Sequence, residues 1–306
     1  MIIKFKTTTR RLINNIPTLH NVKKRKIKAL ISSGLPSEMN STLEFLVYNT
    51  IDEETLKVIN KVEKIRKLIA SEGNKEVEIW YSPKPGSSGN NVDPTLRPKP
   101  GKTLKFTMEQ ISRTGKDRRW GTVLYLLARD FNSTMVFELG SCAGISACYL
   151  SSAPSVRSLI TVEGSKELAK IARESLDVFK NKARVVNCLF DEAIDQELSN
   201  IQKQIDYAYI DGHHEKIATI HYFERIKPYL ADKALVVFDD ISWSYDMKDA
   251  WDVLSKREEF THCIDLGSIG VCVFERTCCR SRNSMYWNLQ SIVGRVTIGD
   301  PLGWKK

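Results

Sequence analysis

Most of the information about the fold lies in Val136-Phe137-Glu138-Leu139-Gly140-Ser141-Cys142-Ala143-Gly144 and in a second apolar run that ends in Val162-Glu163. An apolar strand that enters a turn of small residues and leads into a helix is typical of a nucleotide-binding α/β sheet. An acidic residue at the tip of the next strand can accept hydrogen bonds from two ribose hydroxyls. The pattern therefore predicts a nucleoside cofactor at the end of the first strand.

Short apolar strands alternate with helical segments on both sides of this turn. The strands are predicted at residues 135–139, 158–162, 184–187, 205–210 and 234–238. This alternation indicates a parallel sheet covered by helices on both faces. Two further strands flank Gly267-Ser268-Ile269-Gly270 and predict an antiparallel hairpin. The expected fold class is α/β, with a doubly wound, mostly parallel, seven-stranded, Rossmann-like sheet that ends in this hairpin, preceded by a helical N-terminal accessory region.

Composition divides the chain into three parts. Residues 81–100 contain five prolines and a Gly-Ser cluster, which cannot sustain a helix or a central strand. We therefore predict a basic, partly helical region with a linker at 1–100, a cofactor-binding domain at 101–276, and a basic extension at 277–306. A lid and a homodimer contact both remain open as roles for residues 1–100.

Charge and cysteine usage restrict the class of protein. The net charge is +9, yet residues 121–275 carry sixteen basic and twenty-four acidic residues, so the basicity belongs to the flanks. No apolar run is long enough to span a bilayer, and the seven cysteines form no CxxC pair. We expect a protein of the reducing cytoplasm. The basic flanks leave nucleic acid open as a partner, but aromatic residues do not interleave with the charges, which disfavours it.

The predicted cofactor site departs from the glycine pattern of nicotinamide and flavin proteins. Gly140 and Gly144 are spaced G-x-x-x-G, and they allow the backbone and a helix N-terminus to approach a ligand. A ligand with a positively charged amino acid end would suit a nearby carboxylate. The candidate binding residues are Glu138, Gly140, Ser141, Gly144, Glu163, Asp191 and Asp211. Asp191 is expected either to bind the adenine amino group or to cap a helix.

Acidic residues and histidines follow two adjacent predicted strands. Asp211 begins Asp211-Gly212-His213-His214, and Asp239-Asp240 follows the next strand. Because the carboxyl ends of parallel strands face one crevice, these three carboxylates should converge, which is costly without compensation. We therefore predict that Asp211, Asp239 and Asp240 bind Mg²⁺ or another divalent cation. His214, with His213 as second choice, is the candidate base, and Asp211 completes the catalytic set. A loop and helix-capping role without metal is the alternative.

Together these features resemble class I S-adenosylmethionine-dependent methyltransferases. Asp211 and the pair Asp239-Asp240 match the metal-binding positions of the catechol and macrolide-sugar O-methyltransferases, and His214 stands where the catechol enzymes carry a lysine. A closer resemblance, over residues 52–276, is to uncharacterised bacterial members of the class, through the strings at 209–214, 222–223 and 239–244. It implies S-adenosylmethionine as cofactor and methylation of a small hydroxylated acceptor.

Three other functions compete with this interpretation. The basic flanks favour a nucleic-acid methyltransferase, although Asn/Asp-Pro-Pro-Tyr and a Pro-Cys nucleophile are both missing from the core sequence. A module that binds a nucleoside without catalysis would have no reason to gather three carboxylates. An NAD-linked oxidoreductase shares the fold class but not the glycine spacing. The helically spaced Trp243, Met247 and Trp251 are expected to be either core residues or an aromatic wall for the acceptor.

Overall fold

The computed structural model of the chain describes residues 17–80, 103–199, 204–276 and 285–293, and for residues 17–24 only the backbone. Ten strands lie in these segments: β1 Glu76–Trp80, β2 Thr103–Thr107, β3 Met135–Leu139, β4 Ser158–Val162, β5 Ala183–Val186, β6 Ile205–Ile210, β7 Leu230–Phe238, β8 Phe260–Asp265, β9 Gly270–Glu275 and β10 Met285–Asn288. β1 and β2 form a small antiparallel pair, and the other eight strands form one sheet.

Helices cover the sheet and precede it. They are α1 Pro17–Ser32, α2 Asn40–Tyr48, α3 Glu53–Ser71, α4 Met108–Thr114, α5 Arg118–Asp130, α6 Ile145–Ser152, α7 Lys166–Leu176, α8 Phe190–Leu198, α9 Lys216–Ile226, α10 Tyr245–Leu254 and α11 Gln290–Val293. Asp52 accepts a hydrogen bond from the backbone N–H of Thr55 at 2.7 Å and so caps α3, as its position in the sequence predicts.

The predicted fold class is confirmed. The strand order is β10-β8-β9-β7-β6-β3-β4-β5, in which β3 to β7 are parallel to one another and β9 is antiparallel to both β7 and β8. All seven predicted strands are present. An eighth, β10, pairs in parallel with β8 at the edge of the sheet and comes from the segment predicted as a C-terminal extension. Apolar and polar side chains do not alternate along its four residues, so this strand could not be predicted from periodicity.

The chain reverses direction across the sheet between β3 and β6. β3 is followed by β4 and β5 on one side, whereas β6 and β7 lie on the other. Connections that leave β3 and β6 in opposite directions open a crevice beyond their carboxyl ends, where ligands of open α/β sheets bind. The two loops that follow these strands carry Gly140 and Asp211.

Residues before the predicted linker share the core of the residues after it. Leu43, Ile59 and Val62 are buried in the same hydrophobic cluster as Val123 of α5. β1 pairs with β2 along its whole length, from Glu76 opposite Thr107 to Trp80 opposite Thr103. The boundary predicted at residue 100 itself lies outside the described residues, and the elements on its two sides are packed together.

Two further observations concern membranes and cysteines. In the described part of the chain, no helix has both the length and the apolar character needed to cross a membrane. The five cysteines within it, at positions 142, 148, 188, 263 and 272, are not in disulfides. Cys278 and Cys279 lie outside the described residues.

Candidate active site

The carboxyl ends of the central strands meet at one level of the sheet. Leu139, the last residue of β3, is opposite Val162 of β4 and Ile210 of β6. The backbone N–H of Asp211 donates to the carbonyl of Leu139 at 2.9 Å, and that of Asp239 donates to Ile210 at 3.0 Å. The hydrogen bonding of the sheet therefore continues one residue past β6 and β7. It fixes the backbone of Asp211 and Asp239 at the same edge of the sheet.

Gly140 is required where the turn leaves β3. Its φ is +100°, and a Cβ on this residue would lie 1.9 Å from the carbonyl oxygen of Asp211. Gly144, the residue before α6, has φ +80°, and a Cβ there would lie 3.1 Å from the Cα of Ala172. Both positions therefore need glycine for the turn between β3 and α6 to form, and contact of this turn with a cofactor stays a prediction.

Three residues other than glycine adopt left-handed backbone conformations at the same edge. Cys142, His213 and Asp240 have φ values of 46°, 56° and 49° and follow β3, β6 and β7 respectively. A conformation of this kind costs a residue with a side chain on the order of 1 kcal/mol and is concentrated at functional sites. The three loops are thus held in strained positions around one crevice.

Glu163 joins the loop after β3 to the loop after β4. Its carboxylate accepts hydrogen bonds from the backbone N–H groups of Cys142 and Ser165, each at 2.9 Å. Burial raises the pKa of Glu163 to about 7, and these backbone donors oppose the rise. Each carboxylate oxygen can accept more than one hydrogen bond, so the predicted bonds from ribose hydroxyls could form beside these two.

Glu138 and Ser141 lie beneath the turn. Glu138 is completely buried and accepts a hydrogen bond from the hydroxyl of Thr161, which also bonds to the hydroxyl of Ser141. Burial raises the pKa of Glu138 to about 7, opposed by hydrogen bonds from Ser146 and Thr161. The chain of three side chains ties β3 to β4, and contact of Glu138 and Ser141 with a cofactor stays a prediction.

The buried Glu138 predicts a specific pH dependence of stability. Its pKa is raised on folding, so the folded state binds the proton more tightly and stability is lost as pH rises from about 4.5 to about 7. Glu138→Gln keeps the shape without the charge, and we expect it to be more stable than wild type by about 2 kcal/mol at pH 8. Urea unfolding at intervals from pH 5 to 8 measures this. A difference that stays constant over this range would contradict the assignment.

The three predicted aspartates do converge. Asp211 lies close enough to Asp239 for its charge to act on that carboxyl, and the hydroxyl of Tyr209 donates to Asp211 at 3.0 Å. Burial and the charge of Asp211 together raise the pKa of Asp239 to about 7, although the charge of Lys116 opposes the rise. Burial also raises the pKa values of Asp211 and Asp240. The cluster is therefore acidic and partly desolvated.

Lys116 is a site residue that the sequence did not reveal. Its ammonium forms an ion pair with Asp239 and lies 3.6 Å from Asp240. Burial alone would lower the pKa of Lys116, but the charges of Asp239, Asp240 and Asp211 raise it above its ordinary value. Lys116 lies between α4 and α5, 123 positions before Asp239, in a basic stretch typical of a solvated surface. Nothing in the local sequence distinguishes it from its neighbours.

This arrangement does not fit the divalent cation predicted for Asp211, Asp239 and Asp240. Among the residues that the structure describes, no cluster of three or more His, Cys, Asp or Glu side chains could hold a metal ion. The crowding of carboxylates was the reason to expect a cation, and the ammonium of Lys116 already lies against two of them. We therefore derive no chemical step through a metal.

The side chains of the two candidate histidines contact different parts of the protein. His214 Nε2 lies 3.8 Å from both Asp211 Oδ1 and Asp240 Oδ2, within the cluster. His213 instead bonds through Nδ1 to the hydroxyl of Tyr222 at 2.8 Å and packs beside Phe190. The geometry thus favours the first choice of base, His214, over the second.

Asp191 has protein partners of its own. It is in the first turn of α8, where its Oδ1 bonds to His221 Nε2 at 2.8 Å and accepts from Arg225 at 3.1 Å. The residue that caps α8 is Leu189, so Asp191 is not its N-cap. Binding of an adenine amino group by Asp191 stays a prediction.

Trp243, Met247 and Trp251, which follow β7, do not all have the same role. Met247 and Trp251 are buried, and the Trp251 ring fills the space beside Gly270, where a Cβ would lie 2.3 Å from it. Trp243 is only partly buried, and its ring lies 6.0 Å from that of His214. Of the two alternatives, core packing holds for Met247 and Trp251, whereas Trp243 borders the crevice.

Residues 137–241 match the family model of a methyltransferase domain. The matched segment begins in β3 and ends just after Asp240, so it contains the turn, Glu163 and the acidic cluster. It spans about a third of the chain. No curated protein is similar enough in sequence to match.

Several solved structures are similar to this chain at low identity. An O-methyltransferase from Bacillus cereus in complex with SAH is 15% identical, with 77% of this chain and 96% of that chain covered and a TM-score of 0.49. A putative caffeoyl-CoA O-methyltransferase from Staphylococcus aureus is 18% identical, with coverage of 52% and 85% and a TM-score of 0.46. An O-methyltransferase from Streptomyces achromogenes involved in tomaymycin synthesis, in complex with SAM, is 18% identical, with coverage of 53% and 82% and the same TM-score, 0.46. Similarities this low carry no inference about substrate.

Proposed function

We propose that this protein is an S-adenosylmethionine-dependent methyltransferase that acts on an oxygen of a small hydroxylated molecule. The observation that carries the proposal is the convergence, at one crevice of a doubly wound sheet, of the Gly140 turn, Glu163 and the pair His214 and Asp211. The methyltransferase-domain match over residues 137–241 supports it.

The cofactor end of the crevice is formed by the loops after β3 and β4. Gly140 and Gly144 let the backbone approach a nucleoside amino acid, and the N-terminus of α6 offers unpaired N–H groups. Glu163 would accept hydrogen bonds from the ribose hydroxyls while it keeps its bonds to Cys142 and Ser165. Cofactor binding and the shape of the first loop would therefore depend on one carboxylate.

The acceptor end is formed by the loops after β6 and β7. An acceptor hydroxyl would lie between His214 and the methyl group, with Trp243 as an apolar wall. Bound S-adenosylmethionine would supply the methyl group to the oxygen, and its sulfur would keep the electron pair of the carbon–sulfur bond that breaks. The hydroxyl proton passes to His214, and the carboxylates of Asp211 and Asp240 stabilise the charge that the imidazole gains.

The proposal is tested first by calorimetry and then by transfer. We expect S-adenosylhomocysteine to bind with one equivalent per chain, and radiolabelled methyl groups to reach phenolic or sugar hydroxyl acceptors. His214→Gln should lower kcat by roughly 10²-fold to 10⁴-fold, because a general base contributes about this much, and should leave cofactor affinity unchanged. His262→Gln, a histidine on β8 that bonds to the carbonyl of Gly34, is the matched control.

Three results would redirect the assignment. Absence of S-adenosylhomocysteine binding would remove the methyltransferase proposal. Binding without transfer to any acceptor would favour the non-catalytic nucleoside module. Transfer to RNA or DNA with a steep dependence on salt would favour a nucleic-acid substrate read by the basic flanks.

A further inference from the structure

We propose that the ammonium of Lys116 takes the place of a divalent cation in the carboxylate cluster, so that the site excludes metal and the chain itself supplies the positive charge. This inference rests on the proposed function only in naming the crevice as the acceptor site. It departs from the metal-assisted chemistry that the sequence predicted for the same aspartates.

The position of the ammonium is the first argument. It forms an ion pair with Asp239, whose side chain is 1% exposed, and it lies 3.6 Å from Asp240. Only 11% of the Lys116 side chain is exposed. The ammonium is held against the buried carboxylate of Asp239 and the half-buried carboxylate of Asp240, and so takes the position that an octahedral ion with oxygen ligands at about 2.1 Å would need.

The charge of the cluster is the second argument. Three neighbouring carboxylates repel one another, and this repulsion is what would attract a cation. Lys116 supplies one positive charge, held against Asp239 and Asp240. The remaining charge faces His214, which lies near Asp211 and Asp240. Part of the negative charge that would attract a metal is therefore already balanced within the chain.

The anchoring of Lys116 is the third argument. Arg66 of α3 donates to the carbonyl of Ser112 at 2.8 Å and to the carbonyl of Lys116 itself. The guanidinium is held in turn by Glu63 at 3.0 Å, which also accepts from the hydroxyl of Tyr149. A helix from the N-terminal region thus fixes the backbone of the residue that delivers the ammonium. We regard Arg66 as a positioning residue.

The neighbouring residue adds to this rigidity. Asp117 caps α5 by accepting from the backbone N–H of Trp120 at 2.8 Å. Lys116 is consequently held between an arginine clamp on its carbonyl and a helix cap on the next residue. Its side chain starts from a fixed point, which reduces the entropy lost when the ammonium is ordered in the cluster.

The test is to measure Mn²⁺ binding to the full-length protein at pH 8 by electron paramagnetic resonance. Folding of each variant is checked by circular dichroism. We expect wild type to bind no stoichiometric Mn²⁺ at millimolar concentration. Lys116→Gln should expose three carboxylates and bind one Mn²⁺ at least about ten-fold more tightly than wild type. Adding Asp240→Asn to that variant should abolish the gain. Lys105→Gln, an exposed lysine paired with Glu76, should behave as wild type.

Two outcomes would overturn the proposal. One is a stoichiometric Mn²⁺ site in wild type that disappears in Asp240→Asn, and this result decides even if Lys116→Gln fails to fold. The other is a folded Lys116→Gln protein that gains no Mn²⁺ affinity. Because the readout is metal binding, either failure is distinct from failure of the proposed function, which is measured by S-adenosylhomocysteine binding and methyl transfer.

Discussion

Gly140→Ala is expected to lower the free energy of unfolding by about 3 to 5 kcal/mol and to abolish detectable binding of S-adenosylhomocysteine. The new Cβ would lie 1.9 Å from the carbonyl oxygen of Asp211, and φ is +100°. Neither group can move without breaking the bond from the Asp211 N–H to Leu139. The loops after β3 and β6 must therefore separate, and the cofactor end of the crevice opens. Urea unfolding and calorimetry measure the two effects.

Gly73→Ala is the matched control for this variant. Gly73 also has a positive φ, +57°, but a Cβ there would have no atom within 4 Å. It should lose about 1 kcal/mol from backbone strain and keep full cofactor affinity. If Gly140→Ala resembled Gly73→Ala in both measurements, the close approach of the two loops could not be the reason for the glycine.

Glu163→Gln is expected to weaken S-adenosylhomocysteine binding by roughly 10-fold to 100-fold at pH 8.5, because hydrogen bonds to a charged acceptor become bonds to a neutral one. Burial raises the pKa of Glu163 to about 7, so the wild-type residue is ionised at pH 8.5 and protonated at pH 5.5. Wild-type affinity should therefore rise between these pH values, whereas that of the variant should change less. Titration calorimetry at both values measures the difference.

Glu167→Gln controls for loss of a negative charge nearby. Glu167 is exposed in the first turn of α7 and should bind S-adenosylhomocysteine as wild type does. The thermal melting temperature of Glu163→Gln should also fall, since an amide group would face the N–H of Cys142 or Ser165. If Glu163→Gln lowered the melting temperature but left cofactor affinity unchanged, Glu163 would hold the two loops together without binding the cofactor.

The strands, the order of the elements and most of the site could be predicted from the sequence. Apolar runs of strand length separated by helical segments specify a parallel sheet, because each strand must bury both faces. Once the sheet is specified, Gly140, Glu163, Asp211 and Asp239 must come to one edge, since each directly follows a strand or ends the run that forms it. The periodicity of apolar residues and the position of each site residue after a strand were sufficient for these predictions.

Only the tertiary structure decided which group balances the negative charge of the three aspartates. Lys116 reaches Asp239 because Arg66 on α3 clamps the loop that carries it, and the three residues belong to segments far apart in the chain. The same holds for the choice between His213 and His214, which depends on the contact of His213 with Tyr222. Local sequence encodes the period of burial and the conformation of turns. It does not encode which distant charge fills a gap between buried carboxylates, because that depends on packing of the whole chain.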